Sequence, residues 1–321
     1  MAELTKNHRT TQLLKFLSRQ PLQISRFIAR GLAALVRLLH LSKTSQTIRL
    51  NLQIAFPELS SKEREQIFHH AIRNELSAYF EFFSIWGAEN AKNIARIEHI
   101  YGENELKDAL NSTTGLVLIV PHFGTWEIMN AYIAQFTRMT IMYKPVKNAA
   151  ANQFVLAARS REQAHLVPTD ESGVRQIFKA LKQGGTTVIL PDHTPAQGGE
   201  MIPYFGLPLA SSNLSAKLIQ KTKAKALMLY AKRNDNGLFD MYVEPIAEAI
   251  YQGTANEGTE IIHQHLEDLI RRDPTHYHWS YKRFRAHPEL RRLYDIPVNE
   301  ALDKVRKLRE QSIPLSTQPP H

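Results

Sequence analysis

Cysteine is absent from the 321 residues. That excludes disulfides, thiolate metal sites and a cysteine nucleophile, and it accords with a reducing compartment. Several chemical motifs are absent too. There is no His-Glu-x-x-His or other zinc-ligand spacing, so no metal is expected. Lack of a Gly-x-Ser-x-Gly elbow disfavours a serine hydrolase. Lack of a P-loop and of Gly-x-Gly-x-x-Gly disfavours nucleotide chemistry. Repeats and low-complexity tracts are missing, and glycine, proline and apolar contents are ordinary. What remains is a folded chain long enough to bury a sizeable core.

Acidic charge is scarce at the N-terminus. Residues 1–50 carry nine Lys/Arg against Glu3 alone, a surplus of eight, while the whole chain carries +9. A basic arm on a nearly neutral body suits anionic lipid headgroups or nucleic acid. Its apolar content favours lipid: Leu22, Ile24, Phe27, Ile28, Leu32, Leu35, Leu38, Leu39 and Leu41 recur at helical spacing, interrupted by Arg26, Arg30 and Arg37. The charge-free run Gly31–Val36 falls far short of the ~20 apolar residues of a spanning helix. Arginines also break the apolar centre that a secretory signal needs, and no small-residue cleavage site follows. We therefore expect an amphipathic helix in the membrane interface, apolar face in the acyl boundary and Arg/Lys at the phosphates, with no nucleic-acid partner. A helix packed on the body with its arginines in water is the plainer alternative.

Past the arm, the pattern alternates. Residues 46–85 read as helical around a Phe56–Ser60 loop, with Ser60 or Ser61 as cap and the second helix reaching about Phe83. Gly115–Val120 is an almost continuous apolar run, as in a strand buried on both faces of a parallel sheet. Helices are predicted over Thr125–Phe136, Ala151–Gln163, Gly173–Lys182, Ser212–Lys221 and Glu257–Arg271, the last stopped by Pro274. Strands are predicted over Thr140–Tyr143, Thr186–Leu190 and Ala226–Ala231, the last turning through Asn234–Gly237 into Leu238–Val243. The fold class expected is α/β, a mostly parallel central sheet flanked by helices. The expected division is a membrane-associating arm at 1–45, an α/β domain at 46–310 and a disordered tail at 311–321.

His122 follows the buried strand, where α/β sheets place their sites, within His122-Phe123-Gly124-Thr125-Trp126-Glu127. Residues five apart do not stack on one helix. His122 must then sit in the turn before the helix, with Glu127 reaching back from it. A carboxylate on one ring nitrogen would fix the tautomer while the other nitrogen takes a proton, the logic of a catalytic triad with the substrate's hydroxyl in place of serine. From spacing alone, a strand-end histidine satisfied by a local carbonyl fits as well. His276-x-His278 has no third ligand and is not read as metal-binding. Trp279, Tyr281 and Phe284 read as core.

Several blocks in order carry a resemblance. They are Arg49-Leu50-Asn51 with Phe56-Pro57-Glu58-Leu59, His122-x4-Glu127, Tyr143-Lys144-Pro145 with Asn148, and Arg159/Arg161. Leu190-Pro191-Asp192, Phe205-Gly206 with Pro208, and Asp273-Pro274 with Tyr277, Trp279 and Arg283-Phe284 complete the series. Over roughly residues 20–290 the sequence resembles the lipid A biosynthesis acyltransferase family, the late lauroyl/myristoyl transferases. These are distantly related to glycerolipid acyltransferases with His-x4-Asp. It departs from the family pattern at Lys144, where arginine is usual, at Asn148-Ala149 in place of Asn-Pro, and at Asp192-His193-Thr194 in place of Asp-x-Asp.

The resemblance implies an O-acyltransferase without cofactor or acyl-enzyme. The implied donor is a thioester on acyl carrier protein, and the acceptor is a hydroxyl of a lipid A precursor. His122 would be general base, oriented by Glu127. Lys144, Asn148, Arg159, Arg161 and Asp192 would bind substrate. Oxyanion donors would be a backbone N–H at the start of the 125–136 helix, Arg159 or Arg161. Water reaching the activated site would give slow thioester hydrolysis. The place implied is the cytoplasmic face of the inner membrane, peripheral or monotopic. Residues 271–309 hold eleven Lys/Arg against five Asp/Glu, and this excess suits an acidic carrier protein. A lysophospholipid or glycerolipid acyltransferase with the same motif, and a non-enzymatic basic membrane-binding protein, are the alternatives.

Overall fold

β-Branched and leucine side chains at every position of Leu116–Ile119 leave that strand no polar face, and all four residues are buried. It becomes the middle of the sheet. The computed structural model describes residues 2–38, 42–195 and 198–312. In chain order, α1 (Ala2–Arg19), α2 (Leu22–Leu38), α3 (Lys43–Ala55), α4 (Ser61–Trp86) and α5 (Asn90–Ile94) precede β1 (Ile97–Tyr101). Then come α6 (Glu103–Leu110), β2 (Leu116–Ile119), a 3-10 turn at Trp126–Ile128, α7 (Met129–Ile133) and β3 (Thr140–Met142). Next are α8 (Ala149–Arg161), β4 (His165–Val167), α9 (Glu171–Lys182) and β5 (Thr186–Ile189). The chain continues through β6 (Glu200–Tyr204), β7 (Leu207–Ser211), α10 (Leu214–Thr222), β8 (Lys225–Arg233), β9 (Phe239–Pro245), α11 (Ala255–Arg272) and α12 (Val298–Ser312).

Seven strands form one sheet in the order β1-β9-β8-β2-β5-β3-β4, and β6 and β7 form a separate hairpin. Within the large sheet the β8–β9 pair is antiparallel and the other pairs are parallel. This is the α/β class that the sequence implied. Alternate residues of β2 feed two cores. Val117 and Ile119 pack with the face holding Ile54, Phe68 and Trp279, and Leu116 and Leu118 with the face holding Phe82, Leu106 and Ile128.

Local chemistry explains most boundaries. Ser60 caps α4, and Glu63 returns the bond in a capping box. Asn234–Gly237 turns β8 into β9, with Gly237 at φ 75° and Asn234 N–H donating to the Leu238 carbonyl. The predicted 125–136 helix is shorter and begins as a 3-10 turn. Its leading amides are taken from outside: Gly124 N–H donates to the His276 carbonyl (2.8 Å) and Thr125 N–H to Ala231 (3.0 Å). Strands β1 and β4 and the β6–β7 hairpin carried no clear sequence signal. They are short, and β1 has no fully buried position.

The N-terminal helices pack on the body. Helix α2 buries Leu22, Ala29 and Ala33 together with Arg26, while Ile24, Phe27 and Leu35 on the opposite side are exposed. Arg26 was expected at lipid phosphates; it is buried because Glu81 on α4 accepts its Nε–H. Leu39 and Leu41 lie outside the described residues, as do positions 313–321 of the expected tail; positions 311–312 of that tail close α12 instead. Among the described residues, no helix is long and apolar enough to cross a membrane.

Candidate active site

Parallel strands β2 and β5 run in register, with Ile119 beside Ile189. The ladder extends one step, Val120 N–H donating to the Ile189 carbonyl. Three residues past each strand stand His122 and Asp192, so register alone brings them together at the carboxyl edge. The Asp192 carboxylate accepts twice from His122, from Nδ1–H at 2.8 Å and from the backbone N–H at 3.0 Å. Asp192 is fully buried, and the His122 side chain is 18% exposed. Burial pushes the Asp192 carboxyl up, but the charge and hydrogen bonds of His122 outweigh it and hold the group well below the usual range. With Nδ1 occupied, Nε2 is the nitrogen left for a substrate; it makes no hydrogen bond among the described residues.

The histidine is held by ring contacts on one face and one edge. His193 stacks on it, centroids 3.7 Å apart and planes within 2°, and Tyr281 stacks on His193 at 3.8 Å. Burial first, then the charge of His122, lowers the His193 pKa to about 4, so this neighbour stays neutral. Trp126 meets the ring edge-on at 4.9 Å. Residues 276–278 strap the turn from above: His278 N–H donates to the His122 carbonyl (3.0 Å), and Phe123 bridges Tyr277. The His278 ring, pushed down to about 3 chiefly by burial, contacts the Gly124 carbonyl through Nε2 at 3.1 Å. His276 and His278 thus serve this strap. Gly124 stands at φ +57°, and a Cβ there would meet the Ala231 carbonyl oxygen at 2.0 Å.

Glu127 does not reach His122. It accepts from Arg159 (2.9 Å), Trp86 Nε1–H (2.8 Å) and Asn130 (3.1 Å). This corrects the sequence-derived pairing. The 3-10 turn carries Glu127 toward the ends of α4 and α8, where Trp86 and Arg159 await it. Arg159 also holds Glu162 at 2.9 Å. Arg161 donates to the Trp86 carbonyl. Arg159 is thus taken up by two carboxylates, whereas Arg161 makes no ion pair among the described residues and its buried Nε has no hydrogen-bond partner there. Asn148 is the N-cap of α8, accepting from Ala151 N–H at 2.9 Å. Lys144 is exposed on the loop before α8. No hydrogen bond ties Lys144 or Asn148 to His122 or Asp192 among the described residues.

Other groups at the site were not read from the sequence. Glu75 on α4 accepts from the hydroxyl and the backbone N–H of Ser280, and burial pushes its pKa up to about 7. The Thr125 hydroxyl donates to buried Glu81 at 2.7 Å. Their partners lie scores of residues away, so spacing held no signal for them. His193 was visible beside Asp192, but only the fold lays it on His122. Glu98, His99 and Asp240 hold potential ligand atoms within 4.8 Å of one another on the exposed β1–β9 edge. Asn234 and Asn236 already bond Glu98 and Asp240 there, as in an ordinary surface network.

A family model described as bacterial lipid A biosynthesis acyltransferase matches residues 10–286. A lipid A biosynthesis acyltransferase of Haemophilus influenzae is 26% identical over 276 residues, 84% of this chain and 86% of that one. A lipid A biosynthesis palmitoleoyltransferase of Escherichia coli K12 is 21% identical over 271 residues, 84% and 87% of the two chains. A lauroyltransferase of the same organism is 21% identical over 252 residues, 78% and 81%.

Proposed function

Since the chain belongs to the bacterial lipid A biosynthesis acyltransferase family, we propose that it transfers a fatty acyl chain of the lauroyl–myristoyl class from acyl carrier protein to a hydroxyl of a lipid A precursor. The observation that carries the chemistry is the 2.8 Å contact between His122 Nδ1 and buried Asp192 beside a partly exposed imidazole. Nε2 takes the proton of the acceptor hydroxyl as its oxygen attacks the thioester carbonyl. The C–S bond then breaks, and the imidazolium returns the proton to the departing thiolate. No group on the protein is acylated. Asp192 fixes the tautomer and offsets the imidazolium charge. Glu127, held by Arg159, Trp86 and Asn130, is a positioning residue for the turn that bears His122 and Trp126.

Two surfaces support the setting. Leu13 and Phe16 on α1 and Ile24, Phe27 and Leu35 on α2 are between 46% and 77% exposed, which favours a monotopic seat on the membrane, read here as the cytoplasmic face of the inner membrane. Of the basic residues at 271–309, Arg271, Arg272, Lys304 and Arg306 have carboxylate partners, and Arg283 is buried. Arg285, Arg291, Arg292 and Lys307 remain exposed, and they are the cations we assign to an acidic carrier protein.

The test is transfer of a labelled acyl chain from acyl carrier protein to a lipid A precursor, with lysophospholipid as competing acceptor. We expect His122→Ala and Asp192→Asn to lose about 10²–10⁴-fold, with smaller losses for Glu127→Gln. Without acceptor, the wild type should release free fatty acid slowly and His122→Ala should not. Equal activity in all variants would refute the dyad, and preference for lysophospholipid would refute the acceptor.

A further inference from the structure

A recess of about 600 Å³ opens between α2, α4 and the β8–β9 turn. His122, Asp192 and Trp126 do not line it. Four arginines do, Arg26, Arg30, Arg73 and Arg233, against one carboxylate, Asp235. Beneath them lies Glu81, fully buried, whose oxygens accept from Arg26, from both Nε and Nη2 of Arg233, and from Thr125. Counting Glu81 and Asp235 together, two positive charges remain uncompensated.

The surplus sits on groups built for anions. Arg26 Nη2 is buried and has no hydrogen-bond partner among the described residues. Arg30 and Arg73 are exposed and make no ion pair among those residues. Burial first, with repulsion from Arg233 and Arg30 behind it, lowers the Arg26 pKa against the pull of Glu81. A bound anion would relieve that crowding. Guanidinium forks match the oxygens of phosphate two at a time, and His70 on the same wall, whose Nδ1 accepts from Arg73, adds an Nε2–H donor.

Position selects a lipid source. Arg26 and Arg30 lie one turn apart on α2, and Arg30 follows Phe27 by three residues. The mouth of the recess therefore borders the exposed apolar strip of Ile24, Phe27 and Leu35. An anion there sits at headgroup depth when that strip enters the acyl boundary. We infer that the recess binds the phosphate of an anionic membrane lipid. On the acyl-transfer reading, on which this last step rests, that lipid is the phosphorylated acceptor. Glu81 joins the floor of the recess to Thr125, three residues past His122.

The test uses the full chain and neutral phosphatidylcholine vesicles at fixed salt, plain or doped with phosphatidic acid, the phosphorylated acceptor or its dephosphorylated form. The variant Arg30→Ala/Arg73→Ala leaves the buried Glu81 cluster intact, and its melting temperature checks the fold. Lys217→Ala/Lys221→Ala, on exposed α10 positions, controls for net charge. We expect the recess variant to bind phosphate-bearing vesicles roughly 10–100-fold more weakly, with plain and dephosphorylated vesicles unaffected and the control unchanged. Loss on both phosphate-bearing vesicles assigns the site to lipid phosphate in general; loss on the acceptor vesicle alone assigns it to the acceptor. Equal binding by wild type and variant, or the same loss in the charge control, overturns the inference. Phosphate-dependent binding without any acyl transfer would sink the proposed activity and leave the site standing.

Discussion

His122 and Asp192 are seventy positions apart in the chain, and their contact depends on a single ladder register. If they act as one unit, their losses cannot add. The double variant His122→Ala/Asp192→Asn should therefore turn over no more slowly than His122→Ala alone, measured by steady-state acyl transfer. Multiplicative losses would mean separate roles. Glu75 gives a second prediction at this scale. Unfolded, it ionises near pH 4.5; folded, near 7. Between those values the native state keeps a proton that the unfolded chain has lost, so raising the pH favours unfolding. The melting temperature of the wild type relative to Glu75→Gln should fall from pH 4.5 to 7 and level off above. A difference that ignores pH over this window would show that the buried carboxyl is not protonated there.

At the scale of elements, the turn between β2 and α7 is held by backbone bonds to β8 and to residues 276–278 rather than by helix capping. Gly124 is its pivot. Gly124→Ala places a Cβ against the Ala231 carbonyl at a positive φ, a conformation costing about 1–3 kcal/mol in itself. We expect a lower melting temperature and a drop in kcat, because His122 and Trp126 flank the pivot. Normal values for both would show that the turn tolerates the shift. Glu81 ties three elements by side chains: α2 through Arg26, β8 through Arg233, and the turn through Thr125. Glu81→Gln leaves two guanidiniums without their counter-charge, and removing one partner of a buried ion cluster costs about 3–5 kcal/mol. Chemical denaturation would read that loss; an unchanged midpoint would refute it.

Over the whole molecule, the apolar strip on α1 and α2 faces outward and the basic recess opens beside it. Phe27→Glu/Leu35→Glu should weaken binding to anionic vesicles by well over tenfold, since burying one such side chain is worth about 1.5–3 kcal/mol. Co-sedimentation measures this, and undiminished binding would remove the strip as the membrane seat.

Composition, periodicity and the order of short blocks determined the α/β class, the central strand at Leu116–Ile119, most helices, the family and His122 at a strand end. These are local signals, carried by contiguous residues. Tertiary structure decided which carboxylate meets His122. The sequence offered Glu127, five residues on, because it was near in the chain; strand register delivers Asp192 instead, and Arg159 and Trp86 draw Glu127 away. It also decided that Arg26 lies inside and Phe27 outside on one amphipathic helix. Helical spacing separates two faces, but only the partner on α4, with Glu81 ready to accept a charge, fixes which face turns inward.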